Sequence, residues 1–225
     1  MRSLLATVFR PACPLCTRPA QGCFCIDCQR QILATRLPQP WQFWHGDLPI
    51  AAWGRYRDTL KRVLGALKYN NRPELARPLG HHLGELWLTG GHGLREMPLV
   101  VPIPVHPDKR LTRGYNQAEL LAASFCEFIG LKLSSNLLLR QTNTQAQHHL
   151  SVQAREANLA TAFVMNPQHP RPTAPVLIVD DIYTTGATAR TAQTVLQQAG
   201  CAVVGILVVA TGKADMPAKL KLPAR

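Results

Sequence analysis

The chain has 225 residues, 46% of them hydrophobic and 17% charged, which is enough apolar content for a buried core in one or two domains and too much for a disordered polymer. No window approaches the roughly 18 to 20 uninterrupted apolar residues of a membrane span, so a transmembrane helix is excluded. Twenty-five Lys and Arg against 13 Asp and Glu leave a net charge of +12; such a field attracts polyanions, whether nucleic acid, phosphorylated metabolites or an acidic membrane surface, without choosing among them.

At the N-terminus a short apolar run, Leu4 to Phe9, is closed by Arg10 and Pro11 with no small-residue cleavage site. It reads as no signal peptide, and a reducing, cytoplasmic setting is expected. Five of the seven cysteines then cluster: Cys13, Cys16, Cys23, Cys25 and Cys28. Cys13 with Cys16 and Cys25 with Cys28 form two C-x2-C pairs, each able to wrap one side of a tetrahedral ion with thiolates about 2.3 Å from the metal, which points to structural zinc. A disulfide staple is the alternative and does not suit a reducing compartment. Cys23 could replace Cys25, since C-x4-C is geometrically possible, but the C-x2-C knuckle makes the tighter bite and favours Cys25. A closed four-thiolate site has no open coordination position, so its role is architectural or for docking a partner. Cys126 and Cys201 read as small core hydrophobes.

Further along, Gln31 to Asp47 is broken by Pro38 and Pro40 and carries Trp41, Phe43 and Trp44, a connector whose aromatics pack between units or, less commonly, stack bases. Leu48 to Trp53 predicts a short strand. Tyr56, Leu60, Val63, Leu64 and Leu67 follow helical spacing with Arg57, Lys61 and Lys68 on the opposite, solvated stripe. Pro78 to Trp87 predicts a second helix, whose adjacent His81 and His82 point to different azimuths and are placed on the surface. Leu99 to Val105 predicts a buried strand, Pro107 to Gly114 a basic loop, Ala118 to Ile129 a helix ending at Gly130, and Leu137 to Leu139 another strand. Arg140 to Asn158 is long and polar. Val176 to Asp180 predicts a buried strand, Ala189 to Ala199 a helix closed by Gly200, and Val203 to Ala210 a further strand. Strands alternating with helices indicate a parallel, doubly wound α/β sheet. Thr211 to Arg225 reads as a basic tail.

Val176 to Thr188, VLIVDDIYTTGAT, carries the chemistry. A hydrophobic strand delivers Asp180 and Asp181 to its C-terminal end, where open α/β sheets bind ligands. The chain then turns through Thr184, Thr185, Gly186, Ala187 and Thr188 into a helix N-terminus, whose amides, dipole and hydroxyls make a phosphate cradle. Adjacent carboxylates cannot be phosphate ligands; their partners are the hydroxyls of a sugar carrying that phosphate, or a magnesium ion held with the substrate.

This run resembles the signature of type I phosphoribosyltransferases, which bind 5-phosphoribosyl 1-pyrophosphate (PRPP). The cysteine module, Leu67-Lys68-Tyr69, Pro102 to Pro107, Arg113 to Ala118, and the Asn143-Thr144, Gln147, Leu150-Ser151, Arg155 and Asn158 spacing narrow the resemblance to the ComF/GntX family, over nearly everything from Cys13 to Ala210. The resemblance implies a parallel-sheet type I phosphoribosyltransferase fold preceded by a small four-cysteine zinc module. It implies that Thr184 to Thr188 hold the 5-phosphate, that Asp180 and Asp181 hold the ribose hydroxyls, and that Arg113, Gly114, Tyr115, Asn116 and Gln117 form the pyrophosphate loop, with Arg113, Asp180 and Asp181 as catalytic residues. Arg140 to Asn158 matches the loop that closes over PRPP in such folds. Lys109, Arg110 and Arg113 suit a departing diphosphate on charge alone, and Mg2+ with the substrate would share that task.

The expected organisation is a zinc-binding module over 1–36, a connector over 37–52, a phosphoribosyltransferase-like domain over 53–212 and a basic tail over 213–225. The implied function is a PRPP-binding, cytoplasmic protein, or one peripheral at the inner membrane face, that handles internalised single-stranded DNA in natural transformation alongside other competence DNA-processing proteins. The alternatives are a small-molecule phosphoribosyltransferase of nucleotide metabolism and a non-catalytic PRPP sensor. No G-x4-G-K-[ST] run supports an ATPase.

Overall fold

The structure is a computed structural model and describes residues 11–41, 43–45, 48–90, 94, 96–141 and 162–212. Among these residues the strands are β1 (Phe43–His45), β2 (Leu48–Arg55), β3 (Leu99–Pro102), β4 (Leu138–Arg140), β5 (Phe163–Met165), β6 (Val176–Tyr183) and β7 (Val203–Thr211). The helices are α1 (Ile26–Leu33), α2 (Asp58–Tyr69), α3 (Ala76–Thr89), α4 (Pro107–Arg113), α5 (Gln117–Ile129) and α6 (Ala187–Gln198).

The main sheet has the order β1-β2-β7-β6-β3, parallel throughout except for the edge strand β1, which runs antiparallel to β2. Parallel strands covered on both faces must be apolar on both faces. In β6, Val176, Leu177, Ile178 and Val179 are all fully buried and divide between two cores. Leu177 and Val179 pack with α2, α3 and α5. Val176 and Ile178 pack on the other side with Ala189, Ala192 and Leu196 of α6 and with the small β4-β5 sheet. The helix after β3 and the helix after β6 therefore cover opposite faces although the two strands are neighbours, which opens a crevice between their C-terminal ends. Close packing of α3 on α5 steadies one wall, since a Cβ at Gly80 would come within 2.5 Å of the Ser124 Cβ.

Most predicted elements are present with ends moved by one to three residues. The predicted basic loop, Pro107 to Gly114, is instead the helix α4: Pro107 sits at its first turn, the His106 side chain accepts from the Asp108 amide, and Gly114 closes it at φ +84°. Three cations among its seven residues masked its helical start and stop signals. Strand β6 runs on past Asp180 to Tyr183, so the carboxylates lie within the strand and not at its end. Strands β1 and β2 begin inside the stretch read as a connector and belong to the main sheet.

Leu60, Val63, Leu64 and Leu67 are fully buried, as the helical spacing of α2 predicts, while Lys68 departs from the solvated stripe assigned to it. His81 and His82 are half-buried and not surface residues: His82 stacks on Trp53 with ring centroids 4.4 Å apart, and His81 lies 4.9 Å from Phe128. Burial pushes the His82 imidazole below its ordinary pKa, against the pull of Glu85. Trp41 packs against Trp87, with centroids 6.5 Å apart, so for this residue packing prevails over base stacking. The side chain of Trp44 lies outside the described residues. So do the basic tail after Gly212 and the span 142–161, with Asn143, Thr144, Gln147, Leu150, Ser151, Arg155 and Asn158.

Candidate functional site

The N-terminal cysteines form one group. Sγ atoms of Cys13, Cys16, Cys25 and Cys28 all lie within 4.8 Å of one another, with Cys16 and Cys25 at 3.5 Å. Four thiolates about 2.3 Å from a common tetrahedral centre have neighbouring sulfurs just under 4 Å apart, so this donor set fits a structural metal ion such as zinc. Cys23 is not in the group; it packs against the main core, and burial raises its thiol to about 11. Cys25 is the N-cap of α1 and Cys28 lies in its first turn, and burial raises the Cys28 thiol. Backbone hydrogen bonding at Arg18 lowers Cys16 to about 6. The module is fastened to α2 by Arg62, which donates to the Leu15 carbonyl at 2.7 Å, and by Thr59, which donates to Gln31 at 2.9 Å.

At the C-terminal ends of β3 and β6 the predicted residues come from two neighbouring strands. The Ile103 amide donates to the Val179 carbonyl at 2.9 Å, which sets the start of the α4 segment beside the carboxylate pair. Beyond Tyr183 the chain turns at Gly186, φ +81°, into α6. Thr185 Oγ1 accepts from the Ala187 amide at 3.3 Å and Arg190 donates to the Thr185 carbonyl at 3.1 Å, so the turn is held before any ligand arrives. Thr184 and Thr185 are exposed. The Tyr183 hydroxyl fills the space that a Cβ at position 186 would need. Gly186→Ala therefore meets both a left-handed backbone and a clash; it is expected to weaken phosphate-ester binding by about tenfold or more, the equivalent of one lost charge-assisted hydrogen bond, in a calorimetric titration with ribose 5-phosphate.

The Arg113 to Gln117 segment links α4 to α5. Asn116 caps α5 by accepting from the Ala118 amide at 3.1 Å and donates to the Ile103 carbonyl at 3.0 Å. Arg113 donates to Gln117 and lies over the Tyr69 ring at 5.7 Å. Tyr115 donates to the Leu67 carbonyl at 2.5 Å, which bolts the end of α2 onto this segment. Between α2 and α4 lies an open cleft of about 630 Å³ lined by Lys68, Tyr69, Lys109 and Arg113 among others, with no carboxylate among the described residues on its walls.

The carboxylates differ in surroundings. Asp181 is 4% exposed and its Oδ2 lies 2.6 Å from Lys68 Nζ. Burial and the neighbouring Asp181 charge push the Asp180 carboxyl well above the ordinary carboxylate range. A folded-state pKa that is raised stabilises the protonated form, a contribution present at low pH and lost as pH rises through the folded value. Asp180→Asn is accordingly expected to raise Tm at neutral pH by a few degrees, since about 1 kcal/mol shifts a chain of this size by about 2 to 4 °C. The gain should fade when melts are repeated in acid near the ordinary carboxylate range.

Two cations near the pair were not singled out for the site from sequence. Lys68 reads as solvated by periodicity, and only the Leu67-Lys68-Tyr69 triplet marked it. Arg140, at the end of β4, carries its guanidinium over the Phe163 ring at 5.4 Å and within electrostatic reach of Asp180, while burial lowers its pKa.

No protein-family model matches the chain. The DNA utilization protein YhgH of Salmonella typhi is 30% identical over 86% of this chain and 81% of its own length. Competence protein F of Haemophilus influenzae is 28% identical over 65% of this chain and 66% of its own, and competence protein ComFC of Bacillus subtilis 25% identical over 88% and 77%. Among solved structures, adenine phosphoribosyltransferase from Saccharomyces cerevisiae superposes with a TM-score of 0.41 at 16% identity, covering 66% of this chain and 78% of that one. The enzyme from Rhodothermus marinus gives 0.40 at 21% identity, with 69% and 77% covered.

Proposed function

We propose, on the premise that this chain belongs to the ComF family, that it is a phosphoribosyltransferase-type protein that binds PRPP with Mg2+ and handles single-stranded DNA. The observation that carries the proposal is that the parallel neighbours β6 and β3 lead, at their C-terminal ends, into an acidic pair with a preformed small-residue turn and into a basic segment. In this reading the turn Thr184 to Thr188 takes the 5-phosphate, Asp180 and Asp181 take the ribose hydroxyls, and Arg113 to Gln117 takes the diphosphate. Transfer would break the C1 to O bond, the electron pair leaving with the diphosphate. An acceptor nucleophile would bond to C1 and give up its proton. Arg113 and Lys109 then serve mainly to stabilise the leaving charge, to which bound Mg2+ adds.

The DNA part rests on the +12 charge and on relatives named for competence and DNA utilization. A calorimetric titration of the full chain with PRPP and Mg2+ tests the first part, and no binding would end it. Fluorescence anisotropy with oligonucleotides tests the second. Binding that rises with strand length and falls steeply with salt is expected, because each phosphate contact releases counterions. PRPP binding with neither dependence would favour a small-molecule transferase instead.

A further inference from the structure

Lys68 occupies a junction. It leaves the last turn of α2 one residue after Leu67, whose carbonyl is held by the Tyr115 hydroxyl at 2.5 Å. Its ammonium lies 2.6 Å from Asp181 Oδ2, with side chains only 16% and 5% exposed. That oxygen is sealed from solvent and has no hydrogen-bond partner among the described residues, so it faces the Lys68 ammonium as an ion pair. The same lysine lines the basic cleft with Lys109 and Arg113.

A buried ion pair is a poor source of net stability, because desolvation of both charges offsets their attraction, and its best-attested use is to specify one arrangement. Here the arrangement specified is that of a carboxylate next to Asp180. Direct capture of an anion in the cleft suits Lys109 and Arg113 better, since the Lys68 ammonium is already engaged. We propose that Lys68 is a positioning residue for sugar recognition: it holds Asp181 so that this carboxylate meets a ribose hydroxyl, and it does so from α2, an element outside both loops assigned to the ligand. This rests on the phosphoribosyl reading above.

The test is calorimetry on the full chain with three probes, each with Mg2+: ribose 5-phosphate, PRPP and inorganic diphosphate. Lys68→Met is expected to weaken ribose 5-phosphate and PRPP by the same factor, about tenfold, the usual scale for one charge-assisted hydrogen bond, while leaving diphosphate unchanged. Because the lysine acts through Asp181, Lys68→Met with Asp181→Asn should bind no worse than Asp181→Asn alone. The double variant also removes both buried charges, so it keeps the measurement possible if Lys68→Met alone does not fold.

Loss confined to PRPP and diphosphate would make Lys68 an anion ligand and overturn the proposal. Additive losses in the double variant would do the same, as would unchanged ribose 5-phosphate affinity in Lys68→Met. If wild-type protein binds neither ribose compound, it is the phosphoribosyl reading that fails, which separates the two outcomes.

Discussion

Replacing both Asp180 and Asp181 by Ala is expected to lower PRPP affinity by at least about a hundredfold, since each hydrogen bond to a charged group is worth about 1.5 to 3 kcal/mol and a factor of ten is about 1.4 kcal/mol. The four-cysteine cluster shares no residue with this site, so metal content should stay unchanged. One side effect follows from the geometry. Removing the Asp181 carboxylate leaves the half-buried Lys68 without its partner at 2.6 Å, at a cost below the roughly 3 to 5 kcal/mol of a fully buried orphaned charge. The alanine pair should therefore melt earlier than wild type, and a companion variant that also carries Lys68→Met should recover much of that loss while still failing to bind. Calorimetry and thermal melts on both proteins check this; PRPP binding retained in the companion would remove the carboxylates from the site.

Stripping the metal is the second large effect. The core of the module is little more than Cys13, Ala20, Cys25 and Cys28, with Leu15, Cys16 and Phe24 packed against it, far too small to offset the entropy of ordering the segment. Metal binding in comparable modules supplies about 10 to 16 kcal/mol of apparent free energy at neutral pH. A chelator, or Cys13→Ser, is expected to leave residues 11–24 open to limited proteolysis while the parallel sheet stays folded, because that sheet has two cores of its own. Cys23→Ser should keep one metal per chain by elemental analysis, as its sulfur stands apart from the cluster. Unchanged metal content in Cys13→Ser would exclude Cys13 as a ligand.

The parts of this protein that were legible in the sequence are those in which neighbouring residues carry the information. Val176 to Thr188 announces strand, turn and helix by an apolar run, small residues and a glycine, and all three are present. The two C-x2-C pairs are local enough to imply their own cluster. Alternatives that depended on distance were settled only in three dimensions. Cys23 and Cys25 differ by two positions, but only Cys25, as the N-cap of α1, turns its sulfur toward Cys16. Trp41 could have faced solvent or protein, and Trp87 of α3 decides it.

Sequence by itself determined that the chain is an α/β protein with a metal-type cysteine module and an acidic pair leading into a small-residue turn, because periodicity, capping and ligand spacing act over a few residues. Tertiary structure alone decided that the end of α2 is bonded to the Arg113 to Gln117 segment through Tyr115 and reaches the acidic pair through Lys68. Lys68 is separated from Asp181 by more than a hundred positions, and helical periodicity sends it to solvent. Only the parallel order β2-β7-β6, with α2 following β2, lets the end of that helix meet β6 and makes Lys68 the counter-charge of a buried carboxylate.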